Sequence, residues 1–318
     1  MSEMHGGIIP APAADGVPAG GFRARLAPKS PVSDAVHELL RLAIGQAFAN
    51  YYAAATGMPE GIHQMRVALR RFRACLSAFN AVIDSKGIVR LKPGIQGLFA
   101  ALGDVREVDV FLESTLPEIG RAELDPARRS AIEMAARFRR TTAMAALEDR
   151  LSGAAAARLL VQLAAWVEDR TWATPAGAVS LRKFARRKLP ALHRRMVRAR
   201  PDDPMDAAGW HEVRILAKKL RYAAEAMLPA LDLRRKRARA YARSLAQLQD
   251  TLGALNDGRT VTILANRLVG EATGVEMADL TAARGAVARH AGTRSAALCD
   301  AADRLLPNCR LPRSLRKG

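Results

Sequence analysis

The chain has 318 residues, a formal net charge of +19, 49% hydrophobic residues and only 5% aromatics. That length and apolar content supply the core of one large domain or two ordinary ones. The lack of any apolar run near about 18 residues excludes a membrane-spanning helix. Three scattered cysteines, Cys75, Cys299 and Cys309, show no C-x-x-C spacing, which argues against a disulfide framework or a zinc site and fits a reducing cytoplasm. Alanine and leucine dominate and β-branched runs are scarce, so helix propensity predicts an all-α protein with four-helix-bundle packing.

Residues 1–30 are rich in Gly, Ala and Pro, carry Arg23, Arg25 and Lys29, and lack the apolar stretch of a signal peptide. They are expected to form a disordered N-terminal arm. Helical periodicity opens at "SDAVHELLRLAIGQAFANYY", with Ser33 or Asp34 placed to cap the first turn. A second helix is predicted from about Pro59 to Asp84, its proline at a first-turn position where the missing N–H costs nothing. A third covers roughly 94–115 and ends near Pro117. A fourth follows "LDP" and reaches about 150, and 153–170 adds a helix that closes a first half, 31–170.

The Pro- and Gly-containing "TWATPAG" at 171–177 is the expected linker. A second half, 178–306, then holds helices at about 179–200, 206–228, 232–269 and 276–305. Pro190 falls inside the first of these and is expected to kink it. Residues 307–318 form a basic tail.

Two stretches repeat. "HQMRVALRRFR" at 63–73 aligns without gaps to "HEVRILAKKLR" at 211–221, and each is followed by a second matched block, "LGDVRE" at 102–107 and "LGALND" at 252–257. The spacings agree closely, which points to a duplicated unit. At about 100° per residue, His63, Arg66, Arg70 and Arg73 share one face of the first helix. Met65, Leu69, Phe72, Leu76 and Phe79 lie on roughly the opposite side. The second copy repeats the split, with His211, Arg214, Lys218 and Arg221 against Val213, Ala217, Leu220 and Met227, and Tyr222 at the basic edge. Arg71 and Lys219 match between copies but point further round the helix.

Four cations on one ridge repel each other unless anions or carboxylates intervene. Guanidinium groups match phosphate oxygens with planar donor pairs, so arginine-led ridges point to phosphate recognition. The histidines can donate to phosphate as well, more strongly as pH falls. Neither has a His, Cys or carboxylate at i+3 or i+4 in the manner of an H-E-x-x-H motif, and His5, His37, His193 and His290 show no useful spacing, so no metal ligation and no cofactor are expected.

Charge is concentrated at 178–243, where 19 basic residues face 6 acidic ones. Arg182, Arg186, His193 and Arg200 line up on one helix face as a secondary basic surface. The run Arg234, Arg235, Lys236, Arg237, Arg239 and Arg243 encircles its helix more evenly, so solvation and binding weigh equally there. Asp104, Glu107, Asp109, Asp250 and Asp257 are expected to hold particular arginines in place rather than to gather a metal for hydrolysis. Gly103 and Gly253 are expected to permit close helix contact or a kink at equivalent places.

The paired His/Arg stretches, each with its "LG" block, resemble the CHAD family, named for histidines in an α-helical domain. The resemblance covers roughly residues 30–306. It implies two four-helix bundles related by pseudo-twofold symmetry, with the basic helices around a central groove or pore that binds inorganic polyphosphate, and association with polyphosphate granules in the cytoplasm. The implied contacts are His63, Arg66, Arg70, Arg73, His211, Arg214, Lys218 and Arg221. Lysines replace an arginine pair in the second copy, and Glu107 stands where family members commonly carry aspartate. The leading function is therefore binding without chemistry. Two alternatives are nucleic-acid backbone binding and a metal-dependent phosphohydrolase. Against the first, the ridges offer only Tyr222 for base stacking.

Overall fold

The computed structural model describes residues 26–120, 123–272 and 274–315. Residues 1–25 of the expected arm, and the last three of the expected tail, lie outside the described residues. The described chain is all-α, and its helices run α1 (Val32–Ala49), α2 (Tyr51–Ala55), α3 (Pro59–Ala78), α4 (Lys86–Val89), α5 (Lys92–Val110), α6 (Leu116–Gly120), α7 (Pro126–Ser152) and α8 (Ala154–Asp169). They continue with α9 (Leu181–Arg198), α10 (Ala207–Met227), α11 (Arg235–Glu271) and α12 (Met277–Leu305). No described helix is long and apolar enough to cross a membrane.

Helix starts follow local chemistry, with one correction. Neither Ser33 nor Asp34 caps α1: the cap is Pro31, and the Val32 amide instead donates to the Val179 carbonyl at 2.8 Å. That backbone carbonyl satisfies one of the orphan amides of the first turn. By contrast, Asp206 caps α10 by accepting from the Ala208 amide at 2.9 Å. The third predicted helix does not stop at Pro117. A π-helical turn at Phe111–Thr115 carries it into α6, with Pro117 the second residue of that segment.

The chain divides into two compact units, 1–106 with 143–181, and 107–142 with 182–318. Residues 31–170 thus contribute to both. In the first unit α1 packs on α3 and α8 around Leu40, Met65, Leu69, Phe72, Leu160 and Leu163, all buried. Each such side chain contributes about 1.5–3 kcal/mol through the water it sheds. Helix α2 meets α3 so closely that a β-carbon on Gly61 would lie 2.7 Å from the Ala53 carbonyl carbon, which only glycine tolerates. The 171–177 stretch docks here: Trp172 is buried beside Trp166, its indole N–H donates to the Val167 carbonyl at 3.1 Å, and Thr174 N donates to Val82 O at 2.9 Å.

The second unit buries Phe111, Ile119, Ile132, Leu264, Leu280 and Val287 in one cluster. Around it α11 packs along α12 and α10. Pro190 lies within the continuous α9. The start of the expected tail is anchored: Cys309, Leu311 and Leu315 are buried, and Cys309 Sγ reaches the Ser244 carbonyl at 3.2 Å.

Candidate functional site

In the first unit, α3 is held by its apolar back: Ile62, Met65, Leu69 and Phe72 are all fully buried. Burying that stripe fixes the rotation of the helix, so His63, Arg66 and Arg70 emerge half-buried and Arg73 exposed. Leu76, predicted to be on the buried face, is only half-buried. Arg66 Nη1 donates to the Phe99 carbonyl of α5 at 3.4 Å, and its guanidinium lies 4.6 Å from the centre of the Phe99 ring. Arg73 stacks on the same ring at 4.7 Å. One phenyl group therefore orders two ridge cations, each by about 0.5–1 kcal/mol.

Gly103 completes that seat. A β-carbon there would overlap the Arg66 guanidinium, so the first "LG" glycine provides room for an arginine side chain. Gly253 has open space around it, and the two glycines differ in role. Burial lowers the His63 pKa below the ordinary imidazole value, and Arg106, Arg70 and Arg66 lower it further against the opposing Glu60. Its ring is neutral at neutral pH. Arg70 Nε is a buried donor with no hydrogen-bond partner among the described residues. Arg71, as its wheel position predicts, points elsewhere, donating to Gln46 Oε1 at 2.9 Å.

In the second unit, α10 buries Trp210, Val213, Ala217, Leu220 and Met227. His211, Arg214, Lys218, Lys219, Arg221 and Tyr222 are half-buried. Arg221 lies over the Tyr222 ring at 5.6 Å and 3.6 Å from Glu225. Asp257 on α11 sits near Arg214. Partial dehydration raises the pKa of its carboxyl, while the Arg214 guanidinium and the Asn256 side chain oppose the rise.

The secondary basic set is more heavily engaged. Arg182 pairs with Asp232 at 2.7 Å, and Arg200 grips both oxygens of Asp303 at 2.7 and 2.9 Å. His193 Nδ1 meets the Tyr241 hydroxyl at 3.1 Å. Arg186 is exposed. Among the acidic residues, buried Asp109 binds Arg140 of α7 at 2.6 Å, an interhelical pair outside the ridges. Asp104 and Glu107 are half-buried, and no group of three or more His, Cys, Asp or Glu gathers as metal ligands among the described residues.

Sequence reading missed Phe99 and Arg106. Arg106 lies in the "LGDVRE" block, where the second copy has Asn256, so comparison of the copies concealed it. Phe99 stands one helical turn before Gly103, a spacing that marks it as a neighbour of that glycine's face.

The model of the CHAD domain family matches residues 38–265. The chain belongs to the CHAD family. The crystal structure of the CHAD domain from the plant Ricinus communis superposes with a TM-score of 0.79 at 29% identity, covering 92% of this chain and 99% of that one. PptA from Streptomyces chartreusis is similar at a TM-score of 0.62 and 19% identity, covering 88% and 99%, a likeness of fold alone. No curated protein matches the chain. Both ridges fall within the matched span, as do Phe99, Gly103 and Arg106.

Proposed function

We propose that this CHAD protein binds inorganic polyphosphate without chemical turnover, through His63, Arg66, Arg70 and Arg73 on one ridge and His211, Arg214, Lys218 and Arg221 on the other, and that it associates with polyphosphate granules in the cytoplasm. The observation that carries the reading is the seat built around Phe99 and Gly103, which holds Arg66 and Arg73 in place beside a neutral His63. Ordering these side chains in advance reduces the entropy lost when an anion binds. A polymer engaging both ridges gains from multivalency, so affinity rises with chain length.

Nucleic acid shares the phosphate chemistry but needs free aromatic faces for sequence-tolerant stacking. Phe99 and Tyr222 each already have a face covered by arginine. Calorimetry with short and long polyphosphates, followed by competition against RNA, tests the proposal. It predicts tighter binding of the long chains and displacement of RNA at a lower phosphate concentration. Equal affinity for both lengths, or the reverse competition, contradicts it.

A further inference from the structure

Each unit has a groove beside the end of its ridge helix, and the two are lined by matching positions of the repeated stretches. In the first unit the groove has a volume of about 460 Å³ and includes Arg73, Asn80, Ser85, Lys92 and Gln96. In the second its volume is about 560 Å³, and Arg221, Leu228, Leu233, Ala242 and Ala246 stand at the corresponding places. The numbering offset is 148 along the α3 and α10 stretches and 150 along α5 and α11, as in the aligned motifs. Ile83 and Ile95 have their counterparts in Leu231 and Leu245. The apolar floor is thus common to both grooves, while Asn80, Ser85, Lys92 and Gln96 of the first give way to Leu228, Leu233, Ala242 and Ala246 in the second.

We propose that the groove of the second unit docks an amphipathic helix of a protein partner, with apolar anchors one turn apart and acidic flanks. Folding does not require an apolar wall here, because the first unit carries serine, asparagine, lysine and glutamine at the same places. Ala238, Ala242 and Ala246 follow each other at one-turn intervals along α11 and line the groove over about 12 Å. That length suits anchors at i, i+4 and i+7 of a helix lying in it.

Charge selects the partner. Arg221, Arg235 and Arg239 line the groove against the carboxylate of Glu225, which stands 3.6 Å from Arg221, beyond hydrogen-bonding distance, and Arg221 Nε is a buried donor without a hydrogen-bond partner among the described residues. Arg235 and Arg239 are spaced by one turn, so the positive charge runs along the groove rather than marking one end. A row of carboxylates on a peptide matches it better than the single headgroup of a fatty acid does. Part of the 234–243 basic run is thereby given a role.

The test uses the full chain and a fluorescent, end-capped peptide of about 16 residues, with leucines on one helical face and glutamates flanking them, beside a scrambled peptide of equal composition. The scrambled peptide shares any attraction to the general positive field, so the ratio of the two affinities reports the apolar groove. Anisotropy is expected to show the amphipathic peptide binding about tenfold tighter. The double variant Ala242→Lys, Ala246→Gln installs the first unit's residues, keeps good helix formers, and is expected to bring the ratio to one with unchanged circular dichroism. Equal binding of the two peptides to wild type, or an unchanged ratio in the variant, overturns the proposal. So does displacement of the amphipathic peptide by oleate, which assigns the groove to a lipid. Light scattering that shows a dimer lost in the variant also overturns it, assigning the groove to a second copy of the chain.

Discussion

Replacing each of the two "LG" glycines by alanine separates the two units sharply. In a helix interior, Gly→Ala stabilises by about 1 kcal/mol when nothing obstructs the new methyl group. A β-carbon on Gly253 meets no described atom of another turn or element within 4 Å, so Gly253→Ala is expected to gain that full amount. At Gly103 the methyl overlaps the Arg66 guanidinium, which must leave the Phe99 carbonyl and ring. The long 3.4 Å hydrogen bond sits at the weak end of charged ones, about 1.5 kcal/mol. The cation–π contact adds about 0.5 kcal/mol. A loss of about 2 kcal/mol against a gain of about 1 leaves Gly103→Ala destabilised by about 1 kcal/mol. The two variants should therefore differ by about 2 kcal/mol in urea denaturation followed by circular dichroism. Polyphosphate affinity should fall about tenfold for Gly103→Ala alone, because the displaced Arg66 no longer presents a preorganised charge. If both variants stabilise equally and both keep full affinity, Arg66 is not seated as described and the reasoning fails.

Phe99→Leu keeps an apolar side chain but removes the quadrupole under Arg66 and Arg73, and calorimetry is expected to show a several-fold loss of polyphosphate affinity, with a melting temperature lower by a few degrees. The depressed pKa of His63 means that the unfolded chain takes up the proton first as pH falls. Stability contributed by this residue is complete above about pH 6.5 and declines below it. Melting curves from pH 5 to pH 8 should show that decline flattened in His63→Gln, and equal slopes would contradict the burial of a neutral ring. Bound polyphosphate favours the charged imidazole, so binding below neutral pH should draw protons from the buffer, read as a buffer-dependent heat. Asp109→Ala removes the partner of the part-exposed Arg140 guanidinium and is expected to cost about 1–3 kcal/mol in urea denaturation, whereas a change under about 0.5 kcal/mol would show the pair to be solvated.

Helix positions were legible in the sequence because the apolar period is strong in α1, α3 and α10, and the breaks at "TWATPAG", "RPDDP" and "LPALD" are chemically unambiguous. The α1 cap was not, since the partner of the Val32 amide is a backbone carbonyl 147 positions later in the chain, and sequence periodicity carries no trace of it. The faces of the ridge helices were readable for the same reason as their cores: burying Met65, Leu69 and Phe72 leaves His63, Arg66 and Arg70 one orientation. What surrounds those side chains was not. The Phe99 platform and the Arg106 charge belong to α5, and no pattern within α3 announces them. The same gap explains Arg182 and Arg200, which share a helix face in sequence but turn out to be held by Asp232 and Asp303.

The most direct measurement is polyphosphate binding, titrated across salt concentration, by wild type and by a variant in which Arg66, Arg70, Arg214 and Lys218 are changed to glutamine, with circular dichroism to verify folding. By analogy with single-stranded nucleic acid, each lost phosphate contact should make the log–log salt slope shallower by about 0.7. The account predicts a folded variant whose affinity collapses and whose slope is shallower by the sum of its lost contacts. A folded variant with wild-type affinity and slope would contradict it.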